Sequence, residues 1–255
     1  MHLSDTLFIG VDPTASRRPF AYAALDQGGR LILLAEGELD DVLAFAGGKG
    51  SAFVAINAPS RTNTGVVRKQ EARAGLAPLR QPGRGVDMRL AEHELRERGI
   101  SVGATPAHMD TAPTWMQLGF TVYARLSEMG YRPYPAESAS RQLLETHPHA
   151  TFCALLGQLP LPRHTLEGRI QRQLLLFEQG LGINDPMEFF DEVTRHGILK
   201  GDLPFSQIYD PGELDALAAA CTARQAASSP SQVICLGVPE EGQIVLPVME
   251  LKARY

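Results

Sequence analysis

Leu7-Phe8-Ile9-Gly10-Val11-Asp12-Pro13-Thr14-Ala15-Ser16 is the stretch whose reading decides the fold. An apolar run, Leu7 to Val11, ends in a carboxylate, a proline and small hydroxyl residues that favour a turn. Side chains alternate along a strand, so Leu7, Ile9 and Val11 share one face while Phe8, Gly10 and Asp12 share the other. Both faces are mostly apolar, which suits a central strand covered on both sides. Asp12 then stands at the carboxyl end of that strand, where ligand sites collect in open α/β sheets. The plainer reading is an Asp before a Pro that merely stops a strand.

Outward from this stretch, Phe20–Leu25 and residues 30–35 are short apolar runs joined by Asp26-Gln27-Gly28-Gly29, a hairpin signal. The first three strands therefore read as an antiparallel meander. Residues 38–46 carry Leu39, Val42, Leu43 and Ala46 at helical spacing, and Gly47-Gly48 ends them. Residues 52–57 are a fourth strand whose polar end, Asn57, precedes Ala58-Pro59. A right-handed crossover makes it parallel in the same sheet. Pairing beside the first strand would bring Asn57 close to Asp12. Residues 141–147 read as a fifth strand, ending in Glu145-Thr146-His147-Pro148. It is the third strand end at which a polar side chain precedes a proline.

The helical pattern is equally regular. Helices are expected over residues 87–98, 113–129 (stripe Trp115, Leu118, Val122, Leu126, Met129), 150–156, 163–179 (stripe Leu166, Ile170, Leu174, Phe177) and 185–196. The best-signposted one starts at Asp210-Pro211-Gly212-Glu213, a cap residue, a proline at the first helical position and a glutamate at the third. Asp215 shares a face there with Ala218, Ala219 and Thr222, small neighbours that let the helix lie close to a sheet. A surface Asp complementing the helix dipole is the blander account. Two terminal strands, residues 232–236 and 243–248, are expected to cover an edge.

Bulk properties bound the function. An apolar fraction of 44% and a charged fraction of 21% over 255 residues are ordinary for a soluble protein with a substantial core. Cys153, Cys221 and Cys235 lie in apolar contexts without a CxxC, which reads as buried thiols in a reducing compartment. No signal peptide or membrane-spanning run is visible, so a cytoplasmic location and no membrane partner are expected. Net charge is −5, but residues 61–90 hold seven basic side chains (Arg61, Arg68, Lys69, Arg73, Arg80, Arg84, Arg89) against Glu71 and Asp87. That segment is +5 and the remainder −10, a distribution that fits a phosphate-bearing partner, although a solvated loop is the plainer account. Residues 60–86, rich in Arg, Gly and Pro, read as one long basic loop.

Three carboxylates, Asp12, Glu145 and Asp215, thus come from separate elements. If they converge they repel one another, and such a cluster normally holds a divalent cation. All-oxygen ligands favour Mg²⁺ or Mn²⁺ over Zn²⁺, and two such ions about 3.5–4 Å apart serve phosphodiester hydrolysis.

Taken together, GVDPTAS at 10–16, INAP at 56–59, LETHPHATF at 144–152 and ELDALAAA at 213–220 resemble the family of predicted nucleases with an RNase H-like fold, domain-of-unknown-function family 429. Glu94-Leu95-Arg96 and Arg163-x-Thr165-x-x-Gly168-Arg169 belong to the same resemblance. It implies a single RNase H-like α/β domain over residues 1–255. Its mixed five-stranded sheet would have an antiparallel front meander and a parallel remainder, with helices on both faces and a helical insertion at 87–130. It also implies a metal-dependent nuclease site: Asp12, Glu145 and Asp215 as ligands of Mg²⁺ or Mn²⁺, with Asn57 where many relatives of this fold carry an Asp. An amide oxygen can ligate a cation but brings no charge and cannot act as a base. Arg61, Arg68, Lys69, Arg73, Arg163 and Arg169 are the candidates for nucleic-acid phosphates, and Thr14, Glu94, His147 and His149 form a second tier. Two other functions compete with the nuclease reading. One is a non-catalytic nucleic-acid-binding relative that has lost a ligand at Asn57. The other is an ATP-dependent phosphotransferase of the actin-like group, whose phosphate loop the Asp12 turn also resembles. DNA or RNA, internal or terminal cleavage, and oligomeric state are left open by the sequence.

Overall fold

Six of the seven residues of β1 (Leu7–Pro13) are buried, and the sheet grows from this strand in both directions. The computed structural model describes residues 5–14, 17–73 (70–73 as backbone) and 87–255. β1 pairs antiparallel with β2 (Phe20–Leu25), which pairs antiparallel with β3 (Leu31–Gly37), so the front meander is present. On its other side β1 pairs parallel with β4 (Ala52–Ile56), and β4 with β6 (Arg141–Glu145). The sheet has eight strands where five were expected. The two-residue β5 (Arg132–Pro133) lies along β6, and the terminal hairpin, β7 (Ile234–Val238) and β8 (Gly242–Leu246), is part of the sheet. β8 joins β6 in parallel at the Glu145/Ile244 pair, giving the order β3-β2-β1-β4-β6-β8-β7.

Helices cover both faces. α9 (Pro211–Ser228) lies against Phe8, Ala23, Ala55 and Leu144, with α5 (Pro148–Leu156) and α6 (Leu166–Glu178) packed on it. α1 (Leu39–Gly47) and α4 (Thr114–Glu128) cover Ile9, Val11, Val54 and Ile56 on the opposite face. The approach of α9 to β1 is main chain against main chain. A Cβ at Gly10 would stand 1.9 Å from Ala216 O and 2.4 Å from Ala220 N, so only glycine fits there.

Several boundaries differ from the expectation, each for a local reason. α2 (Val66–Arg73) stands inside the stretch read as a structureless loop, and α3 (Leu90–Glu97) follows it; residues 74–86, with Arg80 and Arg84, lie outside the described residues, as do Ala15 and Ser16. Residues 185–196 do not form one helix. They fall into α7 (Glu188–Glu192) and the start of α8 (Arg195–Lys200), because the Thr194 hydroxyl caps a new helix by accepting from Gly197 N at 3.0 Å. α6 begins three residues later than expected, capped by Thr165, so Arg163 and His164 stand in the loop ahead of it. Its buried side is Gly168, Arg172, Gln173 and Leu176 rather than the leucine stripe. Gly168 presses on Pro162 O, and the buried polar groups are satisfied. Arg172 Nη1 donates to Leu161 O and Gly168 O, both at 2.8 Å, and Gln173 Nε2 to Asn184 O and Gln207 O. Cys153 and Cys221 are buried as expected, but Cys235 is exposed on the edge strand β7. No helix among the described residues is long and apolar enough to cross a membrane.

Candidate functional site

The carboxyl ends of β1 and β4 and the first turn of α9 meet at one cleft of about 630 Å³. Asp12 leaves β1 on the α9 side. Asn57 N donates to Val11 O at 2.8 Å, extending the parallel ladder past the end of β4, and Asn57 Nδ2 donates to Asp12 Oδ1 at 2.6 Å. The α9 start carries the expected cap, with Asp210 N donating to Glu213 Oε2 at 2.7 Å, and its second residue, Gly212, lies against Asp12. Asp215, one turn into the helix, faces the same cleft. Burial pushes both carboxyls well above their ordinary range, and the charge of Asp12 raises Asp215 further. Arg163 opposes the rise, its Nη2 2.7 Å from Asp215 Oδ2.

Cationic and aromatic side chains share the cleft: Arg172, His147, His149, His164 and Trp115 line it, with Gly103. His147 Nδ1 accepts from Ala150 N at 3.2 Å, so the neutral ring carries its proton on Nε2. Burial, then the neighbouring His149, lowers its pKa to about 4. His149 is lowered as well, by burial and by Arg172 and Arg163. Thr14 also lines the cleft, its hydroxyl donating to Arg18 O at 3.3 Å.

Glu145 is not part of this cleft. Val11 pairs with Ile56 and Ile56 with Glu145, so Glu145 follows the parity of Val11 and faces the side of the sheet away from Asp12. There Arg89 clasps it with two nitrogens, Nη1 to Oε2 at 2.9 Å and Nη2 to Oε1, and Ser60 donates its N–H (2.8 Å) and Oγ–H (2.9 Å) to Oε2. Arg89 is fully buried, also binds Glu92 at 2.8 Å, and leaves the basic run as a scaffold residue. Burial alone would lower its pKa, but the Glu145 and Glu92 carboxylates raise it and hold it charged. The expected triad of Asp12, Glu145 and Asp215 is therefore replaced by a pair. Among the described residues no group of three or more His, Cys, Asp or Glu is placed to hold a metal ion.

The remaining candidates are dispersed. Arg61 is exposed beside a second cavity that Glu145 lines, on the far face. Arg68 is exposed and pairs with Asp87, and Lys69 is exposed next to it; Arg73 closes α2, its side chain outside the described residues. Arg169 is engaged structurally, Nε donating to Tyr209 O at 2.8 Å and Nη2 to Ile208 O at 2.7 Å, with Asp210 at 2.9 Å. Glu94 receives Gly237 N at 3.2 Å and ties α3 to β7. Arg172 escapes the sequence pattern, while Trp115, expected on a core stripe, does pack against the core and lines the cleft as well. Arg172 stands between Gln171 and Gln173, so no local pattern marks it as buried; a lone tryptophan at a helix start is the signal for Trp115.

The chain is a mixed α/β protein with a cleft at the carboxyl ends of its central parallel strands, the place where ligands collect in open α/β sheets. The family model "Protein of unknown function (DUF429)" matches residues 10–241, and the chain belongs to that family. No curated protein and no solved structure matches the chain significantly.

Proposed function

We propose that this protein is a divalent-cation-dependent hydrolase of phosphodiester bonds in nucleic acid, built on an RNase H-like arrangement, with Asp12 and Asp215 as its acidic centre. The observation that carries the reading is the pair itself: two buried carboxylates, both raised by burial and Asp215 further by the charge of Asp12, in a cleft that Arg163 and Arg172 also line. The donor set fits one hard cation. Mg²⁺ is commonly held by one or two carboxylates plus waters and substrate phosphate, and Asp12 and Asp215 supply two, with the Asn57 amide beside them. It does not fit two ions bridged by a third carboxylate, because Glu145 is on the other face. A cation there supplies Lewis-acid polarisation of a phosphoryl oxygen.

This chain's own residues do the rest. Asn57 orients Asp12 through Oδ1. Arg163 and Arg172 offer guanidinium groups to a phosphate, and His147 offers a fixed Nε2–H that stays neutral at physiological pH. Arg68 and Lys69 are exposed and could meet a backbone outside the cleft, whereas Arg61 stands on the far face and is not part of this surface. Calorimetry with Mn²⁺, alongside a cleavage assay on single- and double-stranded DNA and RNA, tests the reading. Mn²⁺ binding and cation-dependent cleavage are expected from the wild type, and Asp12→Asn loses both. Undiminished cleavage by Asp12→Asn removes the assignment. Salt-sensitive binding without cleavage, with cleavage gained in Asn57→Asp, would instead favour a binding protein that has lost catalysis.

A further inference from the structure

Trp115 is the only tryptophan of the chain, and it stands in the wall of the cleft that holds Asp12, Asn57 and Asp215. It belongs to the first turn of α4, whose deeper apolar residues, Met116, Phe120, Val122 and Leu126, fill the core; Trp115 packs against that core and stays partly exposed. Beside the indole the wall is bare backbone: Gly103 lines the cleft there, and a Cβ added to it would lie 3.9 Å from Trp115 Cζ2. Arg163 and Arg172 line the same cavity on the side of Asp215. An aromatic ring and two guanidiniums grouped around a carboxylate pair match the two halves of a nucleotide, a base with a π-face and a phosphate with a charge. The cavity, about 630 Å³, is the size of a small-ligand site.

We propose that Trp115 is a stacking platform for one unpaired base of a single-stranded nucleic acid, seated beside the phosphate held at the Asp12–Asp215 end of the cleft. The proposal rests on the phosphodiester reading and narrows its substrate. A base inside a duplex has both faces covered by its neighbours, so an indole in a wall can stack only on a base that is unpaired or at a strand end. The base need not be a particular one, because every base has a π-face.

The single tryptophan makes the emission of the full-length protein a direct report on this wall. With Ca²⁺ replacing Mg²⁺, a short oligo-dT strand quenches the tryptophan emission, and the matching dT·dA duplex leaves it unchanged. By anisotropy of a labelled strand, Trp115→Ala binds about tenfold more weakly, within the range for loss of one stacked base, and Trp115→Phe recovers most of the affinity. Unchanged emission in the presence of excess strand, wild-type affinity in Trp115→Ala, or equal quenching by the duplex overturns the proposal. Mn²⁺ calorimetry separates it from the reading beneath it. If Mn²⁺ binds the wild type and is lost in Asp12→Asn while no strand quenches Trp115, stacking fails and the cation site stands. Quenching by the strand without any cation binding gives the reverse.

Discussion

Asp12 and Glu145 close two of the parallel strands of one sheet, yet they face opposite surroundings. Glu145 accepts four hydrogen bonds, two from Arg89 and two from Ser60, inside a buried ionic cluster that also takes in Glu92. Asp12 takes the Asn57 amide and faces a second carboxylate, with Arg163 reaching the pair through Asp215. Neutralising a buried acid with a matched guanidinium makes a scaffold. Leaving two buried acids short of positive charge stores a demand that a ligand can meet.

The largest effect comes from breaking the satisfied side. Arg89→Met strands Glu145 and Glu92, and urea unfolding is expected to show a loss of about 3–5 kcal/mol. Glu145→Gln also destabilises but leaves Mn²⁺ affinity intact in the folded fraction; loss of Mn²⁺ binding with stability preserved would return Glu145 to the acidic centre.

Next in size is the strained side. The folded-state carboxyl of Asp215 is raised above its unfolded value, so its contribution is present at low pH and is lost as pH climbs from the ordinary carboxylate range through about 7. Wild-type melting temperature should therefore fall across that window, and Asp215→Asn should flatten the fall. At pH 8 the variant is expected to be more stable by on the order of 2 kcal/mol, about 4–8 °C, in thermal melts without divalent ions. A steeper fall in the variant would contradict the pairing.

A smaller change sharpens the contrast at Arg163, which is partly exposed. Removing its guanidinium in Arg163→Ala frees Asp215, and calorimetry should show Mn²⁺ binding about threefold tighter, in line with a surface pair of modest strength. The smallest effect belongs to Arg68→Glu and Lys69→Glu. Their stability should stay within about 0.5 kcal/mol of wild type, while oligonucleotide affinity drops at low salt and the drop fades as salt is raised.

Alternation along Leu7–Val11 is enough to put Asp12 on the α9 face, whereas the strand–helix–strand order makes β4 parallel in the same sheet without fixing its neighbour; the pairing of β4 with β1 is what brings Asn57 beside Asp12. The small residues of α9 likewise announced a helix close against the sheet, and Asp215 with it. Glu145 was misread because three strand ends look alike in a linear sequence. Its ladder partner is Ile56 rather than Asn57, and a shift of one residue turns a side chain to the other face. That register is set by pairing with distant strands, which no local pattern records. Arg89, its partner, lies 56 residues upstream in a basic run whose composition points to a phosphate-bearing partner or to solvent, not to a buried ion pair. Arg172 was hidden for a related reason: its burial depends on carbonyls of its own turn and of the preceding loop, Gly168 O and Leu161 O, and not on helical periodicity.

The absence of a side chain at Gly10 has a consequence for how the acidic pair can change over time. Because α9 rests on the peptide groups of β1, no side chain stands between helix and strand at Gly10 to absorb a shift, so the backbones that carry Asp12 and Asp215 are seated directly on each other. Any change in the reach between the two acids has to come from their own short side chains.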